Sequence, residues 1–175
     1  HSISYAVVAY WTAYFKANYP LEYMTALLNA HIGDTDKTSG SVAECHRLGI
    51  RVLPPDIGAS ESHFNFDQES LGGPAIRFGL AAIKNVGHSA IEPLVLARRE
   101  AGGFKDLEDF CKQAGMQGVN RRVLESMIKA GALDCFADRN HLLNNLDKIL
   151  GFAHQEARLS QSGQSSMFDQ FEETI

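Results

Sequence analysis

A glycine-containing bend between two predicted helices is the part of this sequence whose residue types best suit chemistry. Asn85, Val86 and Gly87 interrupt a helical pattern that covers residues 80–83 and resumes over residues 89–100. The first backbone N–H groups of a helix have no partner inside the helix, and a small residue at the bend lets a phosphate oxygen approach them. The bend therefore predicts an anion site. Its predicted contacts are Lys84, Asn85, Val86, Gly87, His88 and Ser89.

The same bend is equally consistent with a plain turn in which Val86 only fills the core between the helices. The segment resembles the helix-hairpin-helix motif of DNA-binding proteins, whose hairpin is usually Gly, an apolar residue and Gly. Asn85 stands where the first glycine is expected. Asn is one of the few residues besides Gly that tolerate positive φ, so the hairpin geometry is expected to survive.

A second, more degenerate bend follows at residues 128–133, where the predicted contacts are Lys129, Gly131 and Ala132. Two such motifs form a compact four-helix unit that grips backbone phosphates across a minor groove without reading sequence. The candidates for a basic rim are Arg98, Arg99, Arg121 and Arg122, although a solvated helix face gives the same pattern.

Composition fits a folded protein of one or two small domains with a tail. The chain has 175 residues, of which 45% are hydrophobic and 21% charged, and its net charge is −5. Residues 77–131 carry nine Lys or Arg against six Asp or Glu, whereas both flanks are acidic. Three scattered cysteines predict a reducing compartment and no zinc site. We also expect no membrane span, a cytoplasmic location, and a fragment of a longer protein, because no initiating Met or leader pattern is present.

The elements that position these bends are predicted to be mainly α-helical. We expect a helix over residues 4–16 that is buried around most of its circumference, and a helix that begins at Pro20. Ser41 and Glu44 have the spacing of a capping box and predict a short helix over residues 42–48 with Gly49 as its left-handed end.

An irregular β patch is predicted next, with short strands near residues 50–53, 63–66 and 75–78. Gly72, Gly73 and Pro74 mark the predicted domain boundary. The helices expected beyond residue 100 cover residues 106–111, a segment capped by Asn120, and residues 139–158. A polar linker begins near residue 159.

Several longer runs resemble the alpha-subunit family of bacterial DNA polymerase III, the replicative C-family polymerases. The runs lie in the same order as in that family, and the resemblance as a whole covers nearly all of residues 1–170. The runs are Tyr10-Trp11-Thr12-Ala13-Tyr14-Phe15-Lys16, Glu44-Cys45-His46-Arg47-Leu48-Gly49-Ile50, Val52-Leu53-Pro54-Pro55-Asp56, Arg77-Phe78-Gly79-Leu80-Ala81-Ala82-Ile83-Lys84 and Val119-Asn120-Arg121-Arg122-Val123-Leu124-Glu125.

This resemblance implies three regions: the end of a fingers domain over residues 1–72, a tandem helix-hairpin-helix region over residues 73–158, and a linker with a clamp-binding motif over residues 159–175. The implied partners are duplex DNA, the sliding clamp and other subunits of the replicase. The family's catalytic carboxylates and their Mg²⁺ belong to a palm domain that is missing here. We therefore expect no catalytic residue, no metal site and no activity from the fragment alone.

The clamp motif implied by the resemblance is Gln164-Ser165-Ser166-Met167-Phe168. An extended peptide with a Gln amide and the apolar pair Met167 and Phe168 suits a preformed hydrophobic pocket. The alternative for this segment is a tail that folds back on the core. For the whole chain the alternative is a protein-interaction scaffold whose hairpins do not touch DNA.

Overall fold

The structure is a computed structural model that describes residues 1–67, 72–73, 75–113 and 119–162, with the side chains of residues 160–162 left out. The chain divides into two compact units. The first contains His1–Pro55 and Ala59–Lys84, and the second contains Asp56–Gly58 and the chain from Asn85 onward. The fold is mainly helical with one small sheet, which confirms the predicted fold class.

Three helices open the first unit: α1 (Ser2–Asn18), α2 (Pro20–Ala30) and α3 (Thr35–Arg47). Pro20 occupies the first turn of α2, as predicted, because its missing N–H is not needed there. The burial predicted for α1 is wrong for this chain, since α1 packs on α2 and none of its residues is buried. Tyr5, Tyr10 and Trp11 are 72%, 66% and 56% exposed.

Helix α3 begins earlier than the predicted capping box. Asp34 is its N-cap, and its carboxylate accepts a hydrogen bond from Lys37 N at 3.1 Å. Ser41 is buried inside the helix, and its hydroxyl lies 2.8 Å from His31 Nδ1. The capping box at Ser41 is therefore wrong. Gly49 does take the predicted left-handed conformation after the helix, with φ of 73°.

The β patch is a three-stranded sheet of β1 (Arg51–Leu53), β2 (Asn65–Asp67) and β3 (Ala75–Arg77) in the order β1-β3-β2. The central strand β3 is parallel to β1 and antiparallel to β2. Its Ile76 joins a buried core with α2 and α3 residues, namely Met24, Leu28, Cys45, Ile50 and Phe64. All three predicted strands are present, with β2 shifted toward the C-terminus.

Two contacts hold the loop before β2 in place, one made by the Asn29 side chain and one by the Gly79 backbone. The Asn29 side chain donates to Phe64 O at 2.9 Å and accepts from Phe64 N at 2.8 Å, so one amide side chain satisfies both main-chain polar groups of Phe64. Gly79 lies against the same loop, where an added Cβ would stand 2.5 Å from His63 C and 2.6 Å from Phe64 N. A 3₁₀ turn, Leu80–Ala82, follows where an α-helix was predicted.

The second unit contains α4 (His88–Ala101), α5 (Leu107–Gln113), α6 (Arg121–Ala130), α7 (Arg139–Asn144) and α8 (Leu146–Ser162). Asn120 caps α6, as predicted, by accepting from Val123 N at 3.0 Å. Helix α6 packs against both α7 and α8, and α5 packs against α4 and α8.

Two boundaries differ from the predicted ones. The helix expected over residues 139–158 is divided at Asn145 into α7 and α8, and α8 continues to Ser162, past the predicted start of the linker. The units divide between Lys84 and Asn85 rather than near residue 72. None of the described helices has the length and apolar character of a membrane span.

Candidate nucleic-acid interface

The first bend is an exposed turn with a buried apolar centre. Asn85 has φ of 67°, the one positive φ at a residue other than Gly in the part of the chain that the structure describes. This value confirms that Asn85 adopts the conformation normally given to glycine. Val86 is 5% exposed, while Asn85, Gly87, His88 and Ser89 are exposed. Val86 therefore anchors the bend, and its neighbours remain accessible.

Backbone donors at this bend are open to a ligand. Gly87 is the N-cap of α4 and has no side-chain cap, and Ala90 N donates to Gly87 O at 3.1 Å. Within the described residues, the backbone N–H groups of Gly87 and Ser89 have no acceptor. These exposed N–H groups at the positive end of a helix suit a phosphate oxygen.

The second bend is built differently. Gly131 ends α6 with φ of 87°, and its N–H donates to Ile128 O at 2.9 Å, while Ala132 N donates to Met127 O at 3.0 Å. These two bonds form a Schellman motif, which uses the donors that a phosphate would need. Gly131 and Ala132 are also buried. The expectation that their backbone N–H groups receive phosphate is therefore wrong.

A face of α6 lies beside the first bend instead. The Asn85 side chain donates to Ser126 Oγ at 3.3 Å. Arg122, Ser126 and Lys129 are four and three residues apart along α6, so they share one face of the helix. The exposed Arg122 and Lys129 thus flank the residue that touches Asn85. The sequence predicted no role for Ser126. Its spacing of four residues from Arg122 places both on one face of α6, but it does not indicate the contact with Asn85.

The cationic side chains predicted to bind phosphate differ in whether a carboxylate pairs with them. Among the described residues, neither Lys84 nor Arg122 has an ion-pair partner, and both are exposed. Lys129 Nζ lies 2.5 Å from Glu125 Oε1, and this hydrogen bond lowers the pKa of the Glu125 carboxyl. Arg121 pairs with Asp147. Lys84 and Arg122 are thus the cations most readily available to a phosphate.

Two other candidates take different positions. Arg98 is 7% exposed and donates to Ile57 O at 2.9 Å, so its place in the basic rim is wrong, whereas Arg99 is exposed. His88 Nδ1 lies 3.5 Å from Glu92 Oε1, one turn along α4. His88 therefore presents a positive charge only when it is protonated.

The described residues contain no cluster of side chains that could hold a metal ion. No group of three or more His, Cys, Asp or Glu converges within residues 1–67, 72–73, 75–113 and 119–162. The contact between His31 and Ser41 has the residue types of a hydrolase dyad, which sequence reasoning missed, but the Ser41 side chain is buried. Gln164, Met167 and Phe168 lie outside the described residues.

Comparisons with known proteins agree with this geometry. A family model described as a helix-hairpin-helix motif matches residues 49–142. DNA polymerase III subunit alpha of Deinococcus radiodurans is 44% identical over 172 residues, and those of Thermus aquaticus and Escherichia coli (strain K12) are 43% and 40% identical. The matches cover 96%, 99% and 96% of this chain.

The chain spans only 12% to 14% of the length of these three relatives. The family model covers more than half of the chain, and the relatives match along nearly all of it. The chain belongs to the helix-hairpin-helix motif family and is similar, along almost its whole length, to one segment of DNA polymerase III alpha subunits.

Proposed function

We propose that this chain is the part of a bacterial replicative DNA polymerase that holds the backbone of duplex DNA. The observation that carries the proposal is the first bend, where Val86 is buried and the Gly87 and Ser89 N–H groups have no acceptor within the described residues. The family match and the names of the relatives support the same function.

The bend and α6 together offer contacts for more than one phosphate. The Gly87 and Ser89 N–H groups suit one phosphate, and Lys84 adds charge directly before the bend in the chain. Arg122 and Lys129 flank Ser126 on the face of α6 that touches Asn85. All these groups recognise phosphate and sugar rather than base edges, so binding is insensitive to sequence.

The two cations of α6 contribute unequally. Arg122 is exposed without an ion-pair partner in the described chain, whereas Lys129 must share its charge with Glu125. A guanidinium also donates two parallel hydrogen bonds to a phosphate. Arg122 is therefore the stronger contact, and Gly131 and Ala132 support the fold rather than the DNA.

A duplex titration at several salt concentrations tests the proposal. Each lost phosphate contact lowers the magnitude of the negative slope of log K against log salt by about 0.9. We expect Lys84→Gln and Arg122→Gln each to weaken binding and reduce this slope. Lys37→Gln is the charge-matched control, because Lys37 pairs with Asp34 at the start of α3 and is far from the bend in sequence. Duplex affinity that does not change with salt, or no binding at low salt, contradicts the proposal.

The proposal extends to the C-terminal residues and to the longer protein. Gln164, Met167 and Phe168 would dock on the sliding clamp of a cytoplasmic replicase, where other subunits also assemble, and nucleotide transfer would belong to other segments of the polymerase. Replacing Met167 and Phe168 with Ala should abolish clamp binding and leave duplex binding intact. If clamp binding is present while Lys84→Gln and Arg122→Gln leave DNA retention unchanged, the chain is a protein-interaction scaffold.

A further inference from the structure

A tripeptide from the middle of the first unit's sequence belongs to the second unit. The chain before and after Asp56–Gly58 is assigned to the first unit, yet these three residues are assigned to the second. Ile57 is only 1% exposed. The family model also begins at residue 49, upstream of this tripeptide, rather than at the first bend.

Hydrogen bonds fasten the tripeptide to two helical segments. Ile57 N donates to Ala132 O at 2.8 Å, directly after the Schellman turn of α6. Arg98 Nη1, near the end of α4, donates to Ile57 O at 2.9 Å. Both main-chain polar groups of Ile57 are thus used, one on each helical segment.

Asp56 completes the attachment. Its carboxylate accepts from Gly58 N at 2.8 Å, which closes a tight local turn, and it is hydrogen-bonded to the Cys135 side chain. Cys135 follows the same turn at the end of α6. The tripeptide therefore contacts the α6–α7 connection twice and α4 once.

We propose that Asp56–Gly58 is a positioning segment that fixes α4 relative to α6 and thereby sets the spacing of the phosphate contacts. The proposal rests on the proposed function, because α4 begins at the first bend and α6 carries Arg122 and Lys129. Within the described residues, the hydrogen bond between Asn85 and Ser126 joins those two sets of residues directly. A 3.3 Å bond between exposed side chains is weak, and the bonds of Ile57 add a buried hydrogen-bonded link to the packing of α4 and α6 through α5 and α8.

Arg98→Met tests the link, because it keeps the apolar stem and removes the donor to Ile57 O. We expect the backbone NMR resonances of residues 85–89 and 122–129 to shift, although residues 85–89 lie more than two helical turns from Arg98 along α4. The magnitude of the negative slope of log K against log salt for duplex binding should fall by about 0.9, which corresponds to the loss of one phosphate contact. Arg98→Lys, which retains a donor, should restore both readings.

Lys112→Met is the matched control, since it removes one positive charge from α5 in the same unit and should move neither reading. Circular dichroism establishes that each variant is folded, and Ile57→Val provides a milder change should Arg98→Met unfold. Unshifted resonances at residues 85–89 and 122–129 in a folded Arg98→Met chain overturn the proposal. The two proposals can fail separately. If the Arg98→Met resonances shift but the wild-type chain does not bind duplex DNA, the positioning role is supported and the proposed function is overturned.

Discussion

Asn85 shows how far single residues can be interpreted from sequence. Its type and place in the bend predicted a positive φ, and the observed value of 67° confirms it. The contact with Ser126 was not predictable, because it joins residues 41 positions apart and no local pattern encodes it. For the same reason, the role of Arg98 was misassigned: an arginine held by a backbone carbonyl looks like any surface arginine in sequence.

Replacing Asn85 separates its conformational role from its side-chain contact. Asn85→Ala should destabilise the second unit by about 1 kcal/mol, because a Cβ without a polar group disfavours the left-handed region. Asn85→Gly should retain stability to within a few tenths of a kcal/mol, since glycine adopts this φ freely. Urea unfolding followed by circular dichroism measures both. Equal stability of the Ala and Gly variants would refute the conformational explanation.

Helix starts, helix caps and strands were predictable where neighbouring residues in the sequence determine them. The Pro20 start of α2, the Asn120 cap of α6 and the three short strands depend on neighbouring residues, and all are present. The predicted capping box at Ser41 was wrong because Asp34 caps the helix upstream, so α3 begins at Thr35 and Ser41 lies inside it. Gly131 was interpreted as a phosphate contact, although a left-handed glycine after a helix serves equally well as a Schellman end.

Two glycines of the first unit should respond oppositely to the same substitution. Gly79→Ala places a Cβ 2.5 Å from His63 C, a backbone atom that cannot rotate away, so we expect a loss of about 2 kcal/mol or more. Gly40→Ala in α3 meets nothing within 4 Å and should gain about 0.5–1 kcal/mol from helix propensity. Thermal unfolding measures the pair. A neutral Gly79→Ala would mean that the loop at His63 yields easily.

At the scale of the whole molecule, the division into units was the hardest feature to predict. Gly72 and Gly73 are a strong local boundary signal, but long-range bonds such as Ile57 N to Ala132 O decide which segments belong together. The apolar character of α1 predicted burial, but none of its residues is buried in this chain, and we propose that other segments of a longer polymerase cover it.

The single tryptophan of the sequence reports on this α1 surface. Trp11 is 56% exposed, so its fluorescence in this chain should resemble that of indole in water and be quenched strongly by acrylamide. In a polymerase chain that contains this stretch, with its other tryptophans replaced, the proposal expects Trp11 to be shielded and the quenching constant to fall several-fold. Equal quenching in the two proteins would show that α1 stays uncovered.

The strand order β1-β3-β2 has a consequence for the nascent chain at the ribosome. The strand that joins the other two is the last of the three to be synthesised, so neither β1 nor β2 has a neighbour in this sheet until residues 75–77 emerge. The hydrogen bond from Ile57 N to Ala132 O forms later still, because Ala132 must first leave the exit tunnel. Translation speed between these points sets how long unpaired strand edges are exposed to chaperones and to other growing chains.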